Sequence, residues 1–255
     1  MFGRKEKAAL AALPPQHHAL AVDRVLAVTQ NSAQWRELGA SLAVHDQTVH
    51  RHPLDPRVQG VIVPLLRVLG QDVAPDGPIG LRVDLRGHDA PGKVSPARPI
   101  PSHPPVIKAE ESLSWDPWLV LEATLKDRSV LDLTVVDVTK IVRVEKRSAS
   151  GKRKHKSKAK TTQRITAKLT LPRGRAFAPP PASPATAWLS RTAKPKGERA
   201  VVIARGKLPL NVPAGGQPPV DWQLRTLMVV VAELFRWVVP AEQAGEAPGP
   251  GGGVA

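Results

Sequence analysis

Residues 118–144 read WLVLEATLKDRSVLDLTVVDVTKIVRV, and their pattern predicts the β-sheet on which the rest of the chain is expected to pack. Every second position from 119 to 125 is apolar, which is the period of a strand with one buried face. A turn over 126–129 leads into a second strand, which is apolar on both faces over 133–138 and is therefore expected at the centre of a sheet. Residues 164–171 alternate in the same way. The three segments predict an antiparallel three-strand meander.

Helical spacing of apolar residues marks three segments that precede the meander. The spacing predicts one helix over 16–28 and a second over 32–44. A third helix is expected over 56–69. Pro64 lies inside that pattern and would kink or end the helix, so 61–63 also fits a short strand.

Capping side chains indicate where two of the helices begin or end. Asn31 and Ser32 offer side-chain oxygens to the free amides at the start of the second helix. Asp221 does the same for a helix that runs to Val238, and Pro240 ends it. The apolar residues of this last helix predict that it packs across the sheet.

These patterns together predict an α+β fold. A small helical N-terminal part covers 1–75. A β-rich domain over 79–210 forms an antiparallel sheet or sandwich and carries a long basic loop, 146–160. The C-terminal helix 221–239 packs on the sheet. The tail 241–255 is rich in Gly, Pro and Ala and is expected to be disordered.

Composition and hydropathy exclude several classes of protein. The chain has no Cys, which excludes disulfides, thiolate metal sites and iron–sulfur clusters. The apolar run 8–13 is too short for a secretory signal. Residues 226–232 are the uncharged part of the C-terminal helix, and they fall far short of the about 20 residues that span a bilayer. We therefore expect a soluble, cytoplasmic protein.

Positive charge is concentrated in one region. The basic loop reads KRSASGKRKHKSKAK, in which eight of fifteen residues are Lys or Arg. Residues 146–197 hold fifteen Lys and Arg and no acid, and the whole chain carries a net charge of +15. The rest of the chain is therefore neutral in sum. Such charge density attracts phosphates, because binding them releases condensed counterions.

The charge pattern predicts a non-enzymatic binding or scaffold protein that contacts a polyanion, above all nucleic-acid backbone. Low sequence specificity is expected, because single-strand readers stack bases on aromatic rings and none lies between Trp118 and Phe177. Trp115 and Trp118 are expected to anchor the core. The residues predicted to contact the polyanion are Lys146, Arg147, Lys152, Arg153, Lys154, Lys156, Lys158 and Lys160.

Three alternatives remain open for the same sequence. The basic loop also fits electrostatic attachment to an anionic membrane surface, or a solvated tip that only keeps the protein in solution. The third alternative is an enzyme. The G-x-S-x-G and G-x-x-x-x-G-K-[ST] motifs are absent, although acids such as Asp116 and Asp137 could form a pair. No catalytic residue and no cofactor is predicted.

A histidine cluster is the weak candidate for a metal site. It consists of His45, His50 and His52, and imidazoles one residue apart can converge on zinc in an extended segment. Pro53 and Pro56 follow closely and are typical of a turn. Ordinary polar residues of a loop are therefore the favoured interpretation, and no metal is predicted.

Overall fold

The fold was determined as a computed structural model. It describes residues 11–45, 49, 52–148, 150–175, 177–178, 186–210 and 220–238. The tail 241–255, which the sequence predicts to be disordered, lies outside the described residues. Among those that are described, no helix is long and apolar enough to cross a membrane.

One antiparallel sheet forms the centre of the described chain, and its order is β1-β2-β4-β5-β6-β8-β7, with β3 paired to β4. The predicted meander is confirmed as β4, β5 and β6 at the middle of this sheet. The strands are β1 (Val25–Asn31), β2 (Pro78–Asp84), β3 (Arg98–Pro99), β4 (Val106–Thr124), β5 (Val130–Arg147), β6 (Arg153–Thr170), β7 (Leu189–Lys196) and β8 (Arg199–Leu210).

Four helices accompany the sheet in the described residues. The longest, α4, spans Val220–Phe235, packs on β6 and β8, and ends earlier than the predicted helix 221–239. The other three are α1 (Pro15–His18), which continues as a π-helical turn (Ala19–Asp23), α2 (Ser32–Ala43), and α3 (Val63–Asp72), which follows a second π-helical turn (Val58–Ile62).

The start of α2 confirms the predicted cap. The side chain of Asn31 accepts a hydrogen bond from the backbone N–H of Gln34 at 2.8 Å, and the Gln34 side chain accepts one from the N–H of Asn31 at 3.0 Å. This reciprocal pair satisfies two amides that the first turn leaves without helical partners. Pro64 lies in the first turn of α3, directly after the π-helical turn (Val58–Ile62), and the segment is helical and not a strand.

The predicted helix over 16–28 is wrong in its second half. Arg24 adopts a left-handed conformation with φ of 57°, which ends the helical turn. Residues 25–31 then pair with β2 over their whole length, from Val25 opposite Asp84 to Asn31 opposite Pro78. The apolar spacing of this short segment is compatible with a helix and with a strand. The segment forms a strand because the edge of β2 offers it main-chain hydrogen-bond partners.

The core lies between one face of the sheet, which we call the helix face, and the helices. Trp35 of α2 is almost fully buried there, and its indole N–H donates to the carbonyl of Ile79 at 2.8 Å. The opposite face, which we call the open face, carries Thr134, Thr166 and Arg205 at its centre. Buried residues on the helix face include Leu119, Leu121, Leu131, Leu133, Ile165 and Leu169.

The long basic loop over 146–160 is not observed. β5 continues to Arg147 and β6 begins at Arg153, so that only 148–152 connect them. The backbone N–H of Ser148 donates to the carbonyl of Lys152 at 2.9 Å, and Gly151 takes the left-handed conformation that the tight turn requires. The basic segment is a hairpin, because β5 supplies the main-chain partners for a strand whose own side chains are nearly all polar.

A β-bulge in β4 separates the two tryptophans. Pro117 pairs with Val136 and Leu119 with Val135, so Trp118 is the extra residue. Trp118 and Leu119 are both buried among the core residues, as expected for Trp118. Trp115 is 50% exposed, which corrects its predicted place in the core.

Candidate nucleic-acid interface

The meander extends beyond the rest of the sheet as a three-stranded projection, which we call the basic arm. It comprises 106–113 of β4, 140–147 of β5 and 153–160 of β6. The pairing of β8 with β6 starts at Thr161, so within the described chain 153–160 pair with β5 alone. All eight residues of this β6 segment are exposed to solvent.

Four lysines of the arm lie on one face of β6. Lys154, Lys156, Lys158 and Lys160 occupy alternate positions, and side chains at alternate positions of a strand point to the same side. We call them the lysine row. Neighbouring members are about 6.8 Å apart along the strand, so the row is about 20 Å long.

Register places the lysine row on the open face of the sheet. Lys160 alternates in step with Arg164 and Thr166 of the same strand, and Arg164 pairs with Lys207 of β8. Lys146 lies opposite Lys154 on β5. The positive charge of the arm is therefore continuous with exposed cations on the open face of the main sheet.

The eight predicted contact residues divide into three groups. Lys146 and the four members of the lysine row share the open face. Arg147 and Arg153 are paired with each other and point to the other face, and Lys152 lies in the turn. Sequence alone groups them as one loop, whereas the strand period separates them into two faces and a tip.

Acidic side chains near the arm are neutralised by cations outside the lysine row. Glu145 receives a hydrogen bond from Arg153 at 2.9 Å. Glu111 contacts Lys140 and also Arg98, at 2.7 Å from the latter, and these two bonds lower the pKa of its carboxyl. Within the described part of the chain, no member of the lysine row forms an ion pair.

An exposed aromatic ring lies beside this charge. Trp115 on β4 pairs with Val138, which in turn pairs with Thr162 of β6, one step along the sheet from Lys160. The guanidinium carbon of Arg164 is 5.4 Å from the centroid of the Trp115 ring, within the range of a cation–π contact. Sequence reasoning assigned Trp115 to the core and missed Arg164, although the strand period of β6 places Arg164 in line with the lysines.

The histidines of the weak metal candidate do not surround a common position where the structure describes them. The Nε2 of His45 lies 3.0 Å from the backbone carbonyl of His52, and His50 lies outside the described residues. No group of three or more metal-ligating side chains is found in the described ranges. Because His50 lies outside the described residues, the structure does not test the three-histidine candidate.

His45 instead contacts His17. Their Nδ1 atoms are 2.7 Å apart, and the Nε2 of His17 lies 2.9 Å from the hydroxyl of Ser41. The carbonyl of His52 can only accept, so Nε2 of His45 carries a proton and, in the neutral ring, its Nδ1 accepts from His17. Burial, together with the nearby His45, lowers the pKa of His17.

Two of the acids considered for an enzyme are neighbours on the helix face of the sheet. Asp116 pairs with Asp137 in the register of β4 and β5. Lys93 contacts Asp116 at 2.6 Å, and Gln163 donates to Asp137 at 3.0 Å. Burial raises the pKa of Asp137 to about 6. Asp116 is only 3% exposed, Asp137 is half-buried, and each carboxyl has its own polar partner, so the geometry is that of a structural network.

Comparison with protein-family models, curated proteins and solved structures found no match to this chain. The interpretation of the site therefore depends on its own geometry and charge.

Proposed function

We propose that this protein is a non-enzymatic binding or scaffold protein that contacts nucleic-acid backbone through the lysine row of its basic arm. The observation that supports the proposal is the alignment of four exposed ammonium groups on one strand face, without acidic partners among the described residues. Lysines neutralise phosphates and release counterions, and this mechanism needs no reading of base sequence.

A linear row fits a linear partner. A nucleic-acid strand presents its phosphates along a line, as the row presents its charges along about 20 Å of β6. Lipid headgroups form a plane without a preferred line, so an anionic membrane uses no property of the row beyond its charge. This comparison favours nucleic acid over a membrane surface as the partner.

The test removes the charge of the row and leaves the hairpin in place. The variant carries Lys→Gln substitutions at all four row positions, which keep the side-chain length while abolishing the charge. If each lysine meets one phosphate, the slope of log affinity against log salt becomes less steep by about 3.6 for duplex DNA. Affinity is measured by fluorescence anisotropy with a labelled mixed-sequence duplex over a range of salt concentrations.

The control variant removes four exposed cations that lie away from the arm. It carries Lys194→Gln, Lys196→Gln, Arg199→Gln and Arg225→Gln, which match the charge change. Equal losses in both variants, or no loss in the row variant, would contradict the proposal. Binding to anionic vesicles by a protein that ignores nucleic acid would assign the row to a membrane instead.

Lysines on a strand edge have a second physical effect that the test must separate. They discourage pairing with the edge of another chain, so the row variant is also examined by size-exclusion chromatography. A monomeric row variant with weakened binding supports the proposal. A variant that self-associates but binds with the affinity of the parent protein shows that the row protects an edge, and contradicts it.

A further inference from the structure

We propose that the nucleic acid is single-stranded and that one of its bases stacks on Trp115. This inference depends on the proposed function, because it assigns the phosphates of the same strand to the lysine row. It adds the class of nucleic acid and a second contact, and both follow from the position of Trp115 on the open face.

The position of Trp115 relative to the lysine row suits a base beside its own backbone. Trp115 lies two strands away from β6, a lateral distance of about 9.6 Å, and one pair step beyond Lys160. The bases of a single strand project to one side of its phosphates. A strand whose phosphates follow β6 can therefore direct a base across β5 toward the ring.

The surface between the row and the ring is apolar apart from Lys140 of β5, which forms an ion pair with Glu111 of β4. Val142, Val144 and Val138 occupy the open face of β5, and Leu113 lies beside Trp115 on β4. Leu113 is 42% exposed, and the three valines are partly exposed. Unstacked bases need apolar contact area of this kind, whereas phosphates do not.

Duplex DNA would leave this part of the surface unused. Its bases are stacked inside the helix, so only its phosphates could reach the protein, and the ring would stay exposed. Arg164 increases the complementarity for a single strand, since its guanidinium lies against the ring and adds positive charge next to the stacked base.

The experiment compares Trp115→Ala and Trp115→Phe with the parent protein. The probes are an oligothymidylate of about twenty nucleotides and a mixed-sequence duplex of equal length, each labelled for anisotropy. We expect the parent to prefer the oligothymidylate. Trp115→Ala should weaken that binding by about 5- to 150-fold and leave duplex affinity and its salt dependence unchanged. Trp115→Phe keeps an aromatic face and should retain most of the affinity.

A second readout and a matched control accompany the affinities. Oligothymidylate should quench tryptophan fluorescence in the parent, and this quenching should disappear in Trp115→Phe. Phe235→Ala removes an aromatic side chain that is 42% exposed on α4, away from the open face, and should bind like the parent. Circular dichroism and thermal unfolding check that each variant remains folded.

The outcomes separate this inference from the proposed function. Salt-dependent duplex binding together with an unaltered Trp115→Ala overturns the single-strand inference alone. A Trp115→Ala variant that loses duplex and single-strand binding equally also overturns it, because the ring then acts through the fold. If the parent protein binds neither probe, or binds only anionic vesicles, both proposals fail.

Discussion

The guanidinium of Arg164 lies over the indole of Trp115, with its carbon 5.4 Å from the ring centroid. The contact is diagonal across β5, since Arg164 pairs with Val136 and Trp115 pairs with Val138. It joins the strand that carries the lysine row to the strand that carries the exposed ring. An interaction of this kind needs the register of three strands, because a shift by one residue would move one partner to the opposite face.

Replacing Arg164 with Gln should weaken single-strand binding and reduce the salt slope by about 0.7, the value for one phosphate contact on a single strand. Lys168→Gln is the matched control, because Lys168 lies on the same face of β6 but is paired with Asp132 at 2.6 Å. Anisotropy titrations across salt concentrations give both quantities. Equal effects of the two substitutions would show that the contact with Trp115 has no role in binding.

Lys93 should be important for stability, since it neutralises two acids at the end of the core. Its ammonium lies 2.6 Å from Asp116 and 2.9 Å from Asp84, and its side chain is 7% exposed. Lys93→Met would leave the carboxylate of Asp116 buried without a cation, and we expect the free energy of unfolding to fall by about 3–5 kcal/mol. Urea denaturation measures this change.

Lys108→Met serves as the control for the Lys93 prediction, because Lys108 forms its ion pair with Glu110 in solvent and its loss should change little. The double variant Lys93→Met/Asp116→Asn should recover part of the lost stability. A single Lys93 variant as stable as the parent would show that Asp116 finds another partner.

Asp137 should make stability depend on pH between about 4 and 6. Burial raises its pKa to about 6 from an ordinary value of 3.8. The folded protein therefore holds a proton that the unfolded chain releases, so this contribution to stability is complete below about pH 4 and is lost as pH rises through 6. Asp137→Asn keeps the oxygen that accepts from Gln163 and should stabilise the fold at pH 7 by on the order of 2–3 kcal/mol.

Unfolding free energies at pH 4.5 and 7 measure the Asp137 effect as the difference between variant and parent. Asp76→Asn, in an exposed turn, is the control and should leave the pH profile unchanged. A parallel shift of the Asp137→Asn profile at both pH values would argue against a raised pKa.

His17 should make the protein less stable as the pH falls, which is the opposite of the effect expected for Asp137. Its pKa is lowered in the fold by burial and by the nearby His45, so the unfolded chain binds its proton more readily. Its contribution to stability is present above about pH 6.5 and is lost as pH falls. We expect His17→Gln to reduce the loss of stability between pH 7.5 and 5.5, measured by urea denaturation.

His18→Gln is the control for the His17 prediction, since the side chain of His18 is 40% exposed beside Asp23. The control should keep the pH dependence of the parent. If His17→Gln also keeps it, the acid sensitivity of the protein arises from other groups.

The lysine row is a segment whose secondary structure could not be predicted from its own residues. Residues 154–160 carry Lys at every second position, which is the strand period. His155, Ser157 and Ala159 between them offer no apolar face, so the segment alone resembles a loop. It becomes a strand because it lies opposite Ile141, Val142 and Val144 of β5, which are recognisable as a strand by themselves.

Features that depend on near neighbours along the chain could be predicted from the sequence alone. The alternation over 119–125 specified β4, the Asn31 side chain specified the start of α2, and the run of cations specified where the charge lies. Each needs only the main-chain geometry of a few adjacent residues, so its physical cause is visible in the printed chain.

Which residues share a surface depends on how distant segments of the chain pair with one another. The pairing of 25–31 with β2 replaced a helix by a strand, and the bulge at Trp118 directed that ring into the core while Trp115 stayed exposed. The register of the strands also places Arg164 against Trp115, and it pairs the nearby acids with cations outside the lysine row. These relationships depend on hydrogen bonds between strands that are distant in sequence, and a pattern within one strand carries no record of its partner or its register.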